Sequence, residues 1–331
     1  MGPWKIRKLR SGGVITNYHC TSRCKHCLYN CHPKRDKSYL SPEKALTIFS
    51  HIRRNGCYSV HIGGGEPMLK PDSLLEIMES ANRSGIGIDY VETNASWFSD
   101  LSSAMTLLKG LKQSGLNALL VSISPFHNEY IPLYKTKGVL EAARNVGLNI
   151  IPWIAEFMPI LSQLNEKTTH TLDEFQPFLE KRVLDQIKSM YWIHFGGRSL
   201  NTYRPHMPLL SYNQVVDQSP RDCLIELTST EHFHVDLKER YIPGLCSGLG
   251  MDMTYLGKPL TIENHPILTR LAMGGIRSLA QWAQQRFAYR PGKRGFINKC
   301  DLCNAIRKHI AFCEEGPQFD ELYPEEFYGQ S

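Results

Sequence analysis

Three cysteines carry the first chemical signal in this chain: Cys20, Cys24 and Cys27, in the run Cys20-Thr-Ser-Arg-Cys24-Lys-His-Cys27. Thiolates are soft ligands that suit iron–sulfur centres. Three at this spacing can wrap one corner of a cubane [4Fe–4S] cluster and leave one iron open. An open iron can take a small chelating ligand. Cys31 offers a fourth thiolate that would close the site, and zinc or a plain structural role would use the same thiols. Gly63-Gly64-Gly65-Glu66-Pro67 is the second signal. Glycines let backbone approach a neighbour closely, and a carboxylate can pair with a cation. A second cysteine zone holds Cys223, Cys246, Cys300, Cys303 and Cys313, with Cys57 alone in between. Secreted disulfide frameworks are short and loop-rich, unlike this chain of 331 residues, so clustered cysteines point to metal sites.

Apolar runs alternate with helical patterns along the first two thirds of the chain. Strands are expected at Val14–Tyr18, Tyr58–Ile62, Ile86–Glu92, Ala118–Ser124, Leu148–Glu156 and Tyr191–Phe195. Helices are expected at Pro42–Arg54 behind Ser41 as N-cap, and at Ser73–Ser84, Leu101–Gln113, Val139–Val146 and Leu172–Lys188. Strands alternating with helices imply a parallel sheet, and six such units make a partial (β/α)6 TIM-like barrel. Chemistry in such folds sits at the C-terminal strand ends, where the cysteine loop, the Gly-Glu turn, Thr93-Asn94 and Ser122 all fall. Beyond residue 205 the pattern changes to a hairpin at Phe233–Pro243 and helices at Leu279–Arg286 and Leu302–Phe312. Two domains are therefore expected, 1–205 and 206–331, the second a small C-terminal iron–sulfur domain.

The C-x3-C-x2-C run and the Gly-Gly-Glu turn together resemble the radical S-adenosylmethionine (SAM) superfamily. The resemblance implies that SAM chelates the open iron through its amino and carboxylate groups. It implies that reductive cleavage of SAM gives a 5′-deoxyadenosyl radical that takes a hydrogen atom from substrate. His26 matches the family's aromatic residue before the third cysteine. Gly64, Gly65, Glu66 and Pro67 are expected to receive the methionyl ammonium. Thr93, Asn94, Ser122 and Arg198 fall where relatives contact SAM. Many relatives carry Asp at the position of Ser124. The stretch from His234 to Cys246, followed by Cys300-Asp-Leu-Cys303, looks like the SPASM and twitch auxiliary-cluster modules. Five cysteines are too few for two further clusters, so one [4Fe–4S] cluster on Cys223, Cys246, Cys300 and Cys303 is expected, with Cys313 a competing ligand. One zinc in the same thiolates is the alternative. Lys238-Glu239 stands where a Gly turn is usual, and the gap from Cys223 to Cys246 is longer than usual.

The hydrophobic fraction of 42% allows a full core. No apolar run approaches a membrane span, no signal peptide follows the charged start, and a cytoplasmic protein is expected. The net charge is +6, concentrated in residues 1–54, which hold twelve Lys or Arg against Asp36 and Glu43. A basic face of this kind suits an acidic flavodoxin- or ferredoxin-type electron donor or a phosphate-bearing substrate. No basic–aromatic repeat suggests a nucleic-acid groove. Substrate contacts are expected from His127, Trp153, Glu156 and His194. The favoured function is radical oxidation or rearrangement of a small molecule by an oxygen-sensitive oxidoreductase. Modification of a ribosomal peptide is the alternative, disfavoured because only 19 residues precede Cys20. A non-catalytic cluster-bearing binding protein is the third reading. The two spare cysteines, Cys31 and Cys57, are expected to be small buried groups, or a hydrogen-atom donor if one lies near the radical.

Overall fold

A computed structural model describes residues 2–315 and 318–329. β1 (Gly12–Ile15) is buried at every residue, as a central parallel strand must be. β2 (Ser59–Gly63), β3 (Gly87–Thr93), β4 (Ala118–Ser122) and β5 (Asn149–Trp153) extend the sheet from it in order, each parallel to the last. The connecting helices are α1 (Pro42–Arg54), α2 (Pro71–Arg83), α3 (Leu101–Gln113), the single turn α4 (Pro125–Asn128) and α5 (Leu133–Asn145). Ser41 caps α1 by accepting from the Lys44 N–H, and Asp100 caps α3 by accepting from the Ser103 N–H. Strand order runs one way from β1 to β5, so right-handed crossovers put the long helices on one face of the sheet. The other face and the C-terminal strand ends are left for a site.

The sixth strand differs from the expectation. Tyr191–Phe195 makes no ladder hydrogen bonds. Its neighbours along the chain fold over the strand ends, and the free edge of β1 is taken from elsewhere. β6 (Phe233–Asp236) pairs parallel to β1, and β7 (Arg240–Ile242) and β8 (Met251–Asp252) follow antiparallel. The eight-stranded order is β5-β4-β3-β2-β1-β6-β7-β8, a mixed α/β architecture dominated by parallel pairs. The barrel-like part thus has five β/α units rather than six, and the sheet continues across the boundary expected at 205/206. The hairpin itself is as anticipated. Its turn takes Glu239 into the left-handed region at φ 63°, held by Asp236, which accepts from the Lys238 and Arg240 N–H groups. The helix expected at Leu172–Lys188 is broken into a 3-10 segment, Leu172–Phe178, and a helix, Val183–Met190, because Pro177 lies inside it.

The C-terminal third contributes a long helix, Pro266–Phe287, bent at Gly275, and the helix Lys299–Ala311. Asn298 caps the second by accepting from the Cys300 and Asp301 N–H groups. One buried apolar cluster runs from Trp4 through the sheet to Tyr328. Among the described residues no helix is long and apolar enough to cross a membrane.

Candidate functional site

The chain leaves β1 at Ile15 and immediately stitches to the end of β2. The Thr16 N–H donates to Gly63 O at 3.0 Å, Gly65 N–H to Asn17 O at 2.8 Å, and Glu66 N–H to His19 O at 3.1 Å. A Cβ on Gly65 would sit 2.0 Å from His19 O. That glycine therefore lets the turn pack on the cysteine loop, a different use from the approach to a ligand that the sequence suggests. Glu66 is fully buried, and its carboxylate accepts from Thr93 Oγ1 at 2.9 Å, Met68 N at 3.1 Å and Asn94 N at 2.6 Å. Burial raises its pKa to about 7 against the pull of these donors. Asn94 Nδ2 reaches Cys20 Sγ at 3.4 Å and Ser22 Oγ at 3.3 Å. One network thus joins the ends of β2 and β3 to the first cysteine.

Cys20, Cys24 and Cys27 open onto one cavity of about 380 Å³. His26, Gly64, Gly65, Glu66, Pro67, Thr93, Asn94 and Ser122 line the same cavity, as do His127, Trp153 and His194. Burial pushes the Cys20 thiol up to about 12, with the Glu66 charge second, and burial likewise raises Cys24. Cys27 goes the other way, down to about 6, chiefly through its hydrogen bond with Cys31, whose own thiol is raised. Two thiols kept neutral by burial and one biased towards thiolate, all aimed into one cavity, fit a cluster whose positive irons would hold all three as thiolates. His26 stacks on Phe126 at 4.8 Å and meets His127 edge-on at 5.0 Å. His127 Nδ1 lies 2.8 Å from Ser124 Oγ, and burial lowers the ring to about 4.

Two predicted residues lie elsewhere. Arg198 clamps the cysteine loop away from the cavity: Nε donates to Cys24 O at 2.9 Å, Nη2 donates to Cys31 O, and its backbone N–H donates to Cys27 O at 3.0 Å. Glu156 is exposed in a 3-10 turn and does not line the cavity. Residues the sequence did not single out do line it: Tyr29, Tyr90, Glu92, Tyr191, Trp192 and His232. Tyr90 and Glu92 share a face with period two along β3, a signal that was available. His232 was not legible, since only the docking of β6 on β1 brings it in. Behind this lining, Tyr29 Oη lies 2.8 Å from His234 Nδ1, and His234 Nε2 lies 3.1 Å from His61 Nε2.

A second cavity, of about 580 Å³, is lined by Cys223, Cys246, Cys300 and Cys303. The structure does not bring Cys313 there; its thiol donates to His309 O at 3.3 Å. Burial raises Cys223 to about 12, Cys300 to about 11, and Cys246 as well. Lys299, Arg307, Asn304, Glu226 and Glu231 are among its polar lining residues. His194, His232 and Leu245 line both cavities and form the wall between them.

Residues 14–175, just under half of the chain, match the model of the Radical SAM superfamily. The family's members are enzymes that carry an iron–sulfur cluster and bind SAM. Among curated proteins, the "Probable GTP 3',8-cyclase" of Methanocaldococcus jannaschii is 29% identical over 174 residues, 51% of this chain and 55% of that protein. Mycofactocin maturase MftC of Mycobacterium tuberculosis (strain ATCC 25618 / H37Rv) is 34% identical over 73 residues, 22% of this chain and 18% of that one. The chain thus spans about half or less of the length of these curated relatives. A solved structure described as "Native anSMEcpe with bound AdoMet and Cp18Cys peptide" aligns over 94% of this chain and 98% of that one, at 12% identity and a TM-score of 0.45.

Proposed function

We propose that this protein is a radical SAM oxidoreductase that acts on a small molecule in the cytoplasm, with one auxiliary [4Fe–4S] cluster and an external electron donor. The observation that carries the reading is the convergence of the cysteine loop, the Gly-Glu turn and Thr93-Asn94 on one cavity, joined through Glu66. Cys20, Cys24 and Cys27 would hold the cluster, which together with SAM in this cavity would supply reductive cleavage to a 5′-deoxyadenosyl radical. The chain's own residues do the rest. Glu66 and the Gly64 backbone receive the methionyl end, on a turn that Gly65 lets pack against the cysteine loop. Thr93 and Asn94 hold Glu66 in place. His127, Trp153 and His194 face the substrate, and the aromatic lining excludes water.

Residues 206–331 are read as the auxiliary unit, holding a cluster on Cys223, Cys246, Cys300 and Cys303. Among the described residues no three His, Cys, Asp or Glu side chains converge closely enough to chelate a single metal ion. Four thiols around an open cavity favour a multi-iron cluster over bare zinc. The wall of His194, His232 and Leu245 shared by both cavities supports a reading in which a substrate radical passes an electron to the second site, a net oxidation. A second reading, modification of a peptide, is favoured by the open rim: Trp192 is 69% exposed at one cavity and Ile225 81% exposed at the other. Anaerobic reconstitution followed by measurement of 5′-deoxyadenosine tests the central claim. Formation that is lost in Cys24→Ala is expected. An intact, reducible cluster that yields none would sink the reading.

A further inference from the structure

We infer that a concavity on the far side of the cysteine loop from the SAM cavity docks a small acidic electron-carrier protein, with Arg23 and Lys308 as its free cations. The inference rests on the proposed function, since it assumes that the first cluster is reduced from outside.

The concavity is about 520 Å³ and lies between the cysteine loop and the helix Lys299–Ala311. Arg23, Lys25, Arg198, Arg204 and Lys308 line it, and no carboxylate does among the described residues. Charge pairing sorts these five. Lys25 pairs with Glu129, and Arg204 with the buried Asp301. Arg198 holds the carbonyls of Cys24 and Cys31, and its Nη1 is buried with no hydrogen-bond partner. Arg23, which is exposed, and Lys308, which is half-buried, make no ion pair among the described residues. Three positive charges are therefore unmatched around one hollow.

Position matters as much as charge. Arg198 connects the wall of this hollow to the backbone of Cys24 and Cys27, so the cluster's ligand loop lies directly behind it. The opposite side of the loop faces the cavity that SAM and substrate would fill. An electron that enters through this hollow reaches the ligand loop without crossing that cavity. Part of the basic N-terminal stretch is engaged elsewhere. Arg10 pairs with Glu231, Arg35 with Glu326, and Arg53 lies over Tyr58 and bonds Gly85 O. Unmatched cations in a concavity attract a carboxylate-rich surface and speed its encounter.

Reduced flavodoxin is the probe, with loss of the cluster's visible absorbance followed by stopped flow in the absence of SAM. In R23E/K308E the bimolecular rate should fall about tenfold or more, and its decline with ionic strength should flatten. Reduced methyl viologen, a small cation, should reduce the variant's cluster as fast as before. K44E/K109E makes the same charge change on α1 and α3 and should leave the flavodoxin rate within about twofold. If the glutamates disturb cluster assembly, R23A/K308A should still slow flavodoxin about threefold. An unchanged flavodoxin rate in R23E/K308E and R23A/K308A, or an equal loss in K44E/K109E, overturns the inference. Because no SAM is present, failure to cleave SAM would overturn the proposed function alone.

Discussion

Glu66 shows how one carboxylate can tie a site together. Three donors converge on it from Thr93, Met68 and Asn94, and Asn94 in turn reaches Cys20. Gln at this position must present an amide N–H₂ to at least one of those donors, leaving a buried polar group unsatisfied at about 1–3 kcal/mol. Glu66→Gln should lower the melting temperature and weaken SAM binding about tenfold or more, read by calorimetric titration of the reconstituted protein. Unchanged SAM affinity would remove Glu66 from the proposed ammonium site. Arg198 acts on the same loop from behind. Its planar fork serves two carbonyls from two separate nitrogens, Nε and Nη2, a span that the single nitrogen of an ammonium does not match. Arg198→Lys should therefore lose iron faster on dilution into chelator, while SAM affinity of the remaining loaded protein changes little.

At the scale of elements, β6 is what completes the inner face of the sheet. It brings His234 against His61 of β2 and Tyr29 of the cysteine loop. Gly13 makes room, since a Cβ there would lie 2.2 Å from His61 Nε2. Burial, with His232 second, lowers His61 to about 3. Tyr90 stacks on it at 5.0 Å, and Glu92 lies 3.9 Å away. The folded pKa is depressed below the unfolded value near 6.5, so the unfolded chain binds the extra proton between those limits. This contribution to stability is complete above about pH 6.5 and is lost as pH falls towards 3. His61→Gln keeps a polar partner for His234 and removes the titration. Denaturant unfolding of the cluster-free protein between pH 4 and 6.5 should then show a shallower slope, by up to about 1.4 kcal/mol per pH unit. An unaltered slope would mean that other buried histidines, such as His127, carry the acid sensitivity.

At the scale of the whole molecule, two thiol-lined cavities share one wall of His194, His232 and Leu245. Reconstituted protein should hold about eight irons per chain, falling to about four when Cys300 and Cys303 are both replaced by Ala. Cys313→Ala should leave the count unchanged, since that thiol faces His309 O. A loss of iron in Cys313→Ala would move the auxiliary ligand set away from this cavity. Retention of zinc in place of iron, read by elemental analysis, would favour the closed structural alternative.

The cysteine loop, the Gly-Glu turn and the hairpin at Phe233–Pro243 were legible from spacing and pattern taken together, and Thr93-Asn94 from the family resemblance. These are local features, set by ligand spacing, glycine placement and hydrophobic period within a few residues. The four cysteines that line the second cavity were also legible by type, though not the cavity that separates them from Cys313. Long-range competition decided the rest. Tyr191–Phe195 has the composition of a strand, yet the open edge of β1 went to β6, so the segment lines the cavity instead. Arg198 was expected to contact SAM after a sixth strand, and instead holds the cysteine loop from its other side. His232, Leu245 and the free cations Arg23 and Lys308 gain their meaning only from which distant elements pack together. A strand's period tells which way its side chains point; it does not tell which edge it will find.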